Sequence, residues 1–159
     1  MIAMPAEIHI RAFDDADTDA VLALWRDAFP EYNAPDKPHR EPRRSIANKV
    51  AMRDGLFFVA VRDRKIAGTV MAGYDGHRGW VYSLAVARAL RRRGVASALL
   101  RHAETALAER GCLKLNLQVL TRSREALAFY TAHGYAADDV VSLGKRLPLM
   151  PSANVWRSH

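Results

Sequence analysis

The sequence predicts one α/β (α+β) domain, a mixed, mostly antiparallel central sheet flanked by about four helices. Three observations carry that expectation. Segments with apolar residues at every second position interleave with segments whose apolar residues recur every three or four. Three strand-like runs follow one another with only short polar turns between them. The chain has 159 residues, within the roughly 100 to 200 that one compact core accommodates. The expected domain is 1–159, with regular structure over about 6–147 and a tail at 148–159.

Taken in order, Glu7 to Ala12 alternates apolar and polar side chains as a half-buried strand does, and Asp14 to Thr18 supplies helix N-caps. Val21, Trp25, Ala28 and Phe29 fall on one helical face. Pro30, Pro35, Pro38 and Pro42 exclude a continuous helix, because proline lacks an N–H and clashes with the preceding turn. That window reads as a loop. A second helix is expected from Arg43 to about Arg53, closed by Gly55. Leu56 to Val61, Ile66 to Tyr74 and Trp80 to Val86 read as consecutive antiparallel strands, joined by Arg62–Lys65 and by the tight-turn sequence Asp75-Gly76-His77-Arg78-Gly79. From Val95 the stripe Ala98, Leu99, Ala103, Ala106 and Leu107 marks a helix that Gly111 terminates. Leu113, Leu115, Leu117 and Val119 alternate with polar residues as a strand. Ala126, Leu127, Phe129 and Tyr130 form a further helical stripe ending near Gly134, and Val140 to Leu147 is expected as a closing strand.

Composition narrows the class. Half of the residues are hydrophobic and 26% are charged, as in ordinary globular proteins. No apolar run approaches the roughly 18 residues of a membrane span, and MIAMPAEIHIRAFDD lacks the pattern of a secretory leader. A cytoplasmic protein without a membrane partner is expected. The single cysteine, Cys112, offers no disulfide or CxxC motif and reads as a buried structural thiol. The six histidines are scattered, so no metal site is expected. A net charge of +7 favours anionic partners. The densest basic run, Arg91-Arg92-Arg93, stands directly before a glycine and a helix, and a second group, Arg40, Arg43 and Arg44, punctuates the proline-rich window.

The segment from Leu84 to Leu100 carries the most chemistry. A strand feeds a basic turn, and Gly94 and Ala96 stand where the next helix begins, so a ligand can approach the backbone closely. The first N–H groups of a helix lack internal acceptors and its dipole is positive there, which together make an anion site suited to a pyrophosphate. The spacing Arg91-x-x-Gly94-x-Ala96 resembles the coenzyme A pyrophosphate-binding motif of the GNAT N-acetyltransferases. About thirty residues later, Ala126-Leu127-Ala128-Phe129-Tyr130-Thr131-Ala132-His133-Gly134-Tyr135 resembles the second signature of that family. The resemblance covers nearly the whole chain. Residues 68–79 and 142–147 are similar to the YpeA-type subgroup of small bacterial acetyltransferases.

The resemblance implies transfer of an acetyl group from acetyl-CoA, as cosubstrate, to a primary amine by direct attack in a ternary complex. It assigns Leu84, Ala85 and Val86 to the pantetheine arm through their backbones, in a slot where strands splay apart. Arg91, Arg92, Arg93, Gly94, Val95, Ala96 and Ser97 are then assigned to the pyrophosphate, and a backbone N–H near Ala85 or Val86 to the thioester carbonyl. Tyr130 becomes the general acid toward the departing thiolate, since a phenol of ordinary pKa about 10 stays protonated at neutral pH. Ser123 stands seven residues before Tyr130, where the family often has Asn, and its shorter side chain reaches less far toward the cofactor. Trp80 to Val86 contains no Asp or Glu to act as base, leaving Tyr82, Ser83, His77 and Asp75 for a water relay. Glu31, Tyr32, Asp36 and His39 border the expected acceptor cleft. The acceptor is a small-molecule amine, a peptide or protein N-terminus or a lysine, and the protein a monomer or homodimer. A CoA-binding sensor without catalysis and a basic nucleic-acid-binding module are the alternatives. The sequence lacks zinc-finger spacing and RNA-recognition aromatics, against the second, and its retention of Tyr130 argues against the first.

Overall fold

The computed structural model describes residues 7–150. The chain divides into two compact units, Met1–Gln118 and Val119–His159.

In the first unit, strand β1 (His9–Ala12) leads into a capping box at Asp14, whose carboxylate accepts from the Ala16 amide at 2.9 Å. Asp17 closes the box by accepting from the Asp14 amide, also at 2.9 Å, and it receives both terminal nitrogens of Arg11 at 2.7 and 2.9 Å. Helix α1 (Thr18–Ala28) follows. The proline-rich window folds as two single 3-10 turns, Pro30–Asn33 and Pro38–Arg40, as four prolines in a short stretch require. Helix α2 (Pro42–Ala51) has proline in its first turn, where the missing N–H costs nothing, and Glu41 caps the Arg43 and Arg44 amides.

Strands β2 (Phe57–Arg62), β3 (Lys65–Tyr74) and β4 (Gly79–Val86) then form a meander beside β1. Helix α3 (Val95–Glu109) crosses over to a short strand β5 (Leu115–Leu117). Sheet order is β1-β2-β3-β4-β5, antiparallel throughout except for the parallel β4–β5 pair. A parallel pair requires such a helical crossover.

Both faces of the sheet are covered. Val21, Leu22 and Trp25 of α1, with Ile46 of α2, pack on Phe57, Val59, Met71 and Ala85. Val95, Leu99, Leu100, Ala103 and Leu107 of α3 are all at most 2% exposed, and each such residue stabilises the fold by roughly 1.5–3 kcal/mol, less for the alanine. Close neighbours explain two glycines. A Cβ on Gly68 would stand 2.7 Å from the Ala85 carbonyl oxygen, and one on Gly79 2.7 Å from Cys112 Sγ. Cys112 is only half-buried and donates from Sγ to the Lys114 carbonyl at 3.3 Å.

The second unit holds helix α4 (Arg124–Ala132), which stops as Gly134 takes φ +90°. Two expectations are corrected. The strand read from Leu113 to Val119 is confined to Leu115–Leu117, and Leu113 is 99% exposed. Val140 to Leu147 forms no strand: it has no regular structure, and Val141 and Leu143 are 84% and 90% exposed. β-propensity expresses packing on a neighbouring strand, and α4 is the only regular element among the described residues of that unit. Among the described residues regular structure therefore ends at Ala132, not near 147. Residues 1–6 and 151–159, which include most of the expected tail, lie outside the described residues.

Candidate active site

Strand β4 is irregular where the site was expected. Thr69 of β3 pairs with Ala85 and Met71 pairs with Tyr82, so Ser83 and Leu84 together face the single residue Val70. This is a β-bulge. It puts Ser83 at φ +53°, a left-handed conformation that costs a non-glycine residue roughly 1–2 kcal/mol. Buried polar groups hold it there. The Ser83 carbonyl accepts from Thr69 Oγ1 at 2.9 Å, and Thr69 Oγ1 accepts from Trp25 Nε1 at 2.9 Å. Thr69 is 0%, Trp25 1% and Ser83 8% exposed.

Strands β4 and β5 pair over three residues only, from Gly79 opposite Leu115 to Val81 opposite Leu117. Beyond Val81, β4 has no β5 partner. Leu84, Ala85 and Val86 all lie on the stretch that neighbours β3 on one edge and lacks a β5 partner on the other, with Ala85 and Val86 side chains buried and Leu84 half-buried. Main-chain groups on that second edge must find another hydrogen-bonding partner, in protein, water or ligand.

That stretch leads straight to the basic turn. The Ala87 amide closes β4 on the Ala67 carbonyl at 2.8 Å, a 3-10 turn spans Arg88–Leu90, and residues 91–94 form the turn before α3. Arg91 reaches back from Nε to the Val86 carbonyl at 3.3 Å, while Arg92 and Arg93 are exposed. Gly94 occupies the N-cap at φ +81° and supplies no capping side chain; a Cβ there would meet nothing within 4 Å. The space before the helix is thus open. Val95 points into the core and offers only backbone, whereas Ala96 and Ser97 are half-buried. A fifteen-residue helix, open at its positive end and preceded by three arginines, suits a doubly charged diphosphate.

On the other face, Tyr32 stacks on Phe29 with ring centroids 4.6 Å apart. Burial pushes its phenol above the ordinary value, opposed by the Ser83 hydroxyl as hydrogen-bond partner. Tyr32, Lys37, Glu41 and Arg44 are among the residues lining a pocket of about 270 Å³; Glu31, Asp36 and His39 are not. Asp75 accepts from the His77 and Arg78 amides at 2.8 and 2.7 Å, which hold it below the usual carboxylate range and commit it to the hairpin turn.

Sequence reasoning missed Lys49. Its side chain is 2% exposed, pairs with Asp54 at 2.7 Å, donates to the Ala72 carbonyl and lies 5.8 Å from the ring centre of Tyr82. Its place three residues after Ile46, on the buried stripe of α2, was the available signal.

In the second unit, Tyr130 is half-buried, its ring edge-on to Phe129 at 5.1 Å and to Tyr135 at 5.7 Å. Ser123 stands at the N-cap of α4, its carbonyl accepting the Leu127 amide at 3.1 Å.

Comparison with known proteins decides the family. Residues 18–135 match the model of the acetyltransferase (GNAT) family. The chain belongs to that family. Both GNAT signatures lie within the matched residues. The GNAT fold is also that of solved structures. The PaiA N-acetyltransferase from Thermoplasma acidophilum, in complex with coenzyme A, is 16% identical with a TM-score of 0.72, over 85% of this chain and 93% of that one. Ard1 from Thermoplasma volcanium is 23% identical (TM-score 0.69, 81% and 82% covered). The ribosomal-protein-S18-alanine N-acetyltransferase from Escherichia coli is 22% identical (TM-score 0.66, 80% and 77% covered).

Proposed function

We propose that this GNAT acetyltransferase moves an acetyl group from acetyl-CoA to a primary amine by direct attack in a ternary complex. One observation carries the reading: a stretch of β4 with no β5 partner leads through the basic turn to an open helix N-terminus, so a pantetheine-like amide chain and a diphosphate find their partners in sequence. Leu84, Ala85 and Val86 hydrogen-bond the arm through their backbones. Gly94, Val95, Ala96 and Ser97 present amides to the diphosphate, with Arg91, Arg92 and Arg93 supplying charge and Ser123 a further polar contact. A coenzyme A complex of the similar PaiA N-acetyltransferase supports acetyl-CoA as cosubstrate, and the match across 18–135 supports a single acetyltransferase domain.

The cosubstrate supplies an activated acyl group. In the transfer a carbon–nitrogen bond forms, the carbon–sulfur bond breaks, and sulfur leaves with the proton of Tyr130. The acceptor nitrogen gives up its proton through a water relay, for which β4 offers Tyr82 and Ser83 and no carboxylate over Trp80–Val86, and solvent returns a proton to Tyr130. The acceptor is a small amine, a peptide or protein N-terminus or a lysine. The YpeA-type subgroup, a cytoplasmic location and a monomeric or homodimeric state belong to the same reading.

Free-thiol release from acetyl-CoA across peptides, polyamines and amino sugars tests it; no release above hydrolysis with any acceptor refutes it. Tyr130→Phe is expected to lower turnover about a hundredfold, the usual worth of a positioned acid, with calorimetric affinity for acetyl-CoA unchanged. Unchanged turnover removes Tyr130 from the mechanism.

A further inference from the structure

The chain Trp25 Nε1, Thr69 Oγ1, Ser83 carbonyl has a consequence beyond packing. The Ser83–Leu84 peptide is trans, so its C=O and N–H point in opposite directions. With the carbonyl turned to Thr69 on β3, the Leu84 N–H points away from β3, to the side where β4 has no β5 partner. A hydrogen bond accepted by an amide carbonyl strengthens the N–H of that same amide as a donor, and successive bonds polarise one another. Burial shields the chain from water, which would otherwise weaken the effect.

We propose that Thr69 and Trp25 are positioning residues that aim and polarise the Leu84 N–H toward the ligand lying along β4. This rests on the acetyl-transfer reading and assigns the donor facing the thioester carbonyl to the bulge peptide itself, one residue earlier than the motif suggests. Thr69 acts through Ser83, and Trp25 acts through Thr69. The left-handed Ser83 is the cost of turning that peptide.

The test combines a spectroscopic and a kinetic readout on the full chain, with the melting temperature of every variant recorded. In ¹⁵N-labelled protein without ligand, Thr69→Val is expected to move the Leu84 amide proton upfield and speed its exchange. With acetyl-CoA and an accepted amine, kcat falls about tenfold while KM for acetyl-CoA stays within about twofold, as for a donor weakened and not removed. Thr69→Ser, which keeps the hydroxyl, restores both. Trp25→Phe leaves the Thr69–Ser83 bond and shifts both readouts in the same direction by less; it carries the test alone if Thr69→Val does not fold. A Leu84 amide that does not move, or a Thr69→Ser variant as impaired as Thr69→Val, overturns the proposal. If the wild-type protein releases no thiol with any acceptor, the acetyl-transfer reading fails, whereas the Leu84 amide still reports on the hydrogen-bond chain.

Discussion

Asp17 accepts both terminal nitrogens of Arg11 and the Asp14 amide, and these bonds hold its carboxyl below its ordinary value against the opposing effect of burial. A depressed carboxylate adds stability above its unfolded pKa and loses that contribution as pH falls through the folded value. Asp17→Asn is therefore expected to destabilise by about 1 kcal/mol at neutral pH, a modest figure because Arg11 is partly exposed. Urea titrations should show the gap between wild type and variant constant above about pH 5 and closing as acid protonates Asp17; a gap independent of pH down to 2 contradicts this. Single residues were the least legible part of the chain. Trp25 and Thr69 are 44 positions apart, so no local spacing links them. The sequence placed Trp25 on a buried helical face, and nothing in it reveals that the indole N–H finds a hydroxyl there.

Elements were far easier to read. Helix α3 follows from a stripe of small and apolar residues at helical spacing, and the β2–β4 meander from polar turns between β-rich runs. The bulge escaped because neither glycine nor proline marks Ser83 or Leu84. The closing strand failed for the opposite reason: Val140 to Leu147 has strand-like composition, but composition cannot supply a neighbour to pair with. The turn before α3 yields a prediction of its own. Gly94→Ala meets no atom within 4 Å but must adopt φ +81°, so a stability loss of about 1 kcal/mol and an intact fold are expected. On the proposed function, a methyl group at the mouth of the diphosphate site weakens acetyl-CoA binding at least about tenfold, roughly one charge-assisted hydrogen bond. Calorimetry returning wild-type affinity would dismiss position 94 as a cofactor contact.

Across the whole molecule the charge is +7, and the exposed Arg92 and Arg93 lie directly before the helix that would receive a polyanion. Attraction of that kind is screened as the Debye length contracts from about 10 Å at 0.1 M salt to about 3 Å at 1 M. The KM for acetyl-CoA is expected to rise with sodium chloride, and Arg92→Gln to flatten that rise; a KM indifferent to salt would remove these arginines from cofactor capture. Ordering of the sheet bears on the same chemistry. Strands β4 and β5 zip together for three residues and stop. Had the zipper run two rungs further, the polypeptide would have consumed its own hydrogen-bonding capacity there and admitted no guest. On the proposed function, main chain left over where self-pairing halts is what holds the cofactor, and mutations that lengthen the seam should weaken acetyl-CoA binding while making the protein sturdier.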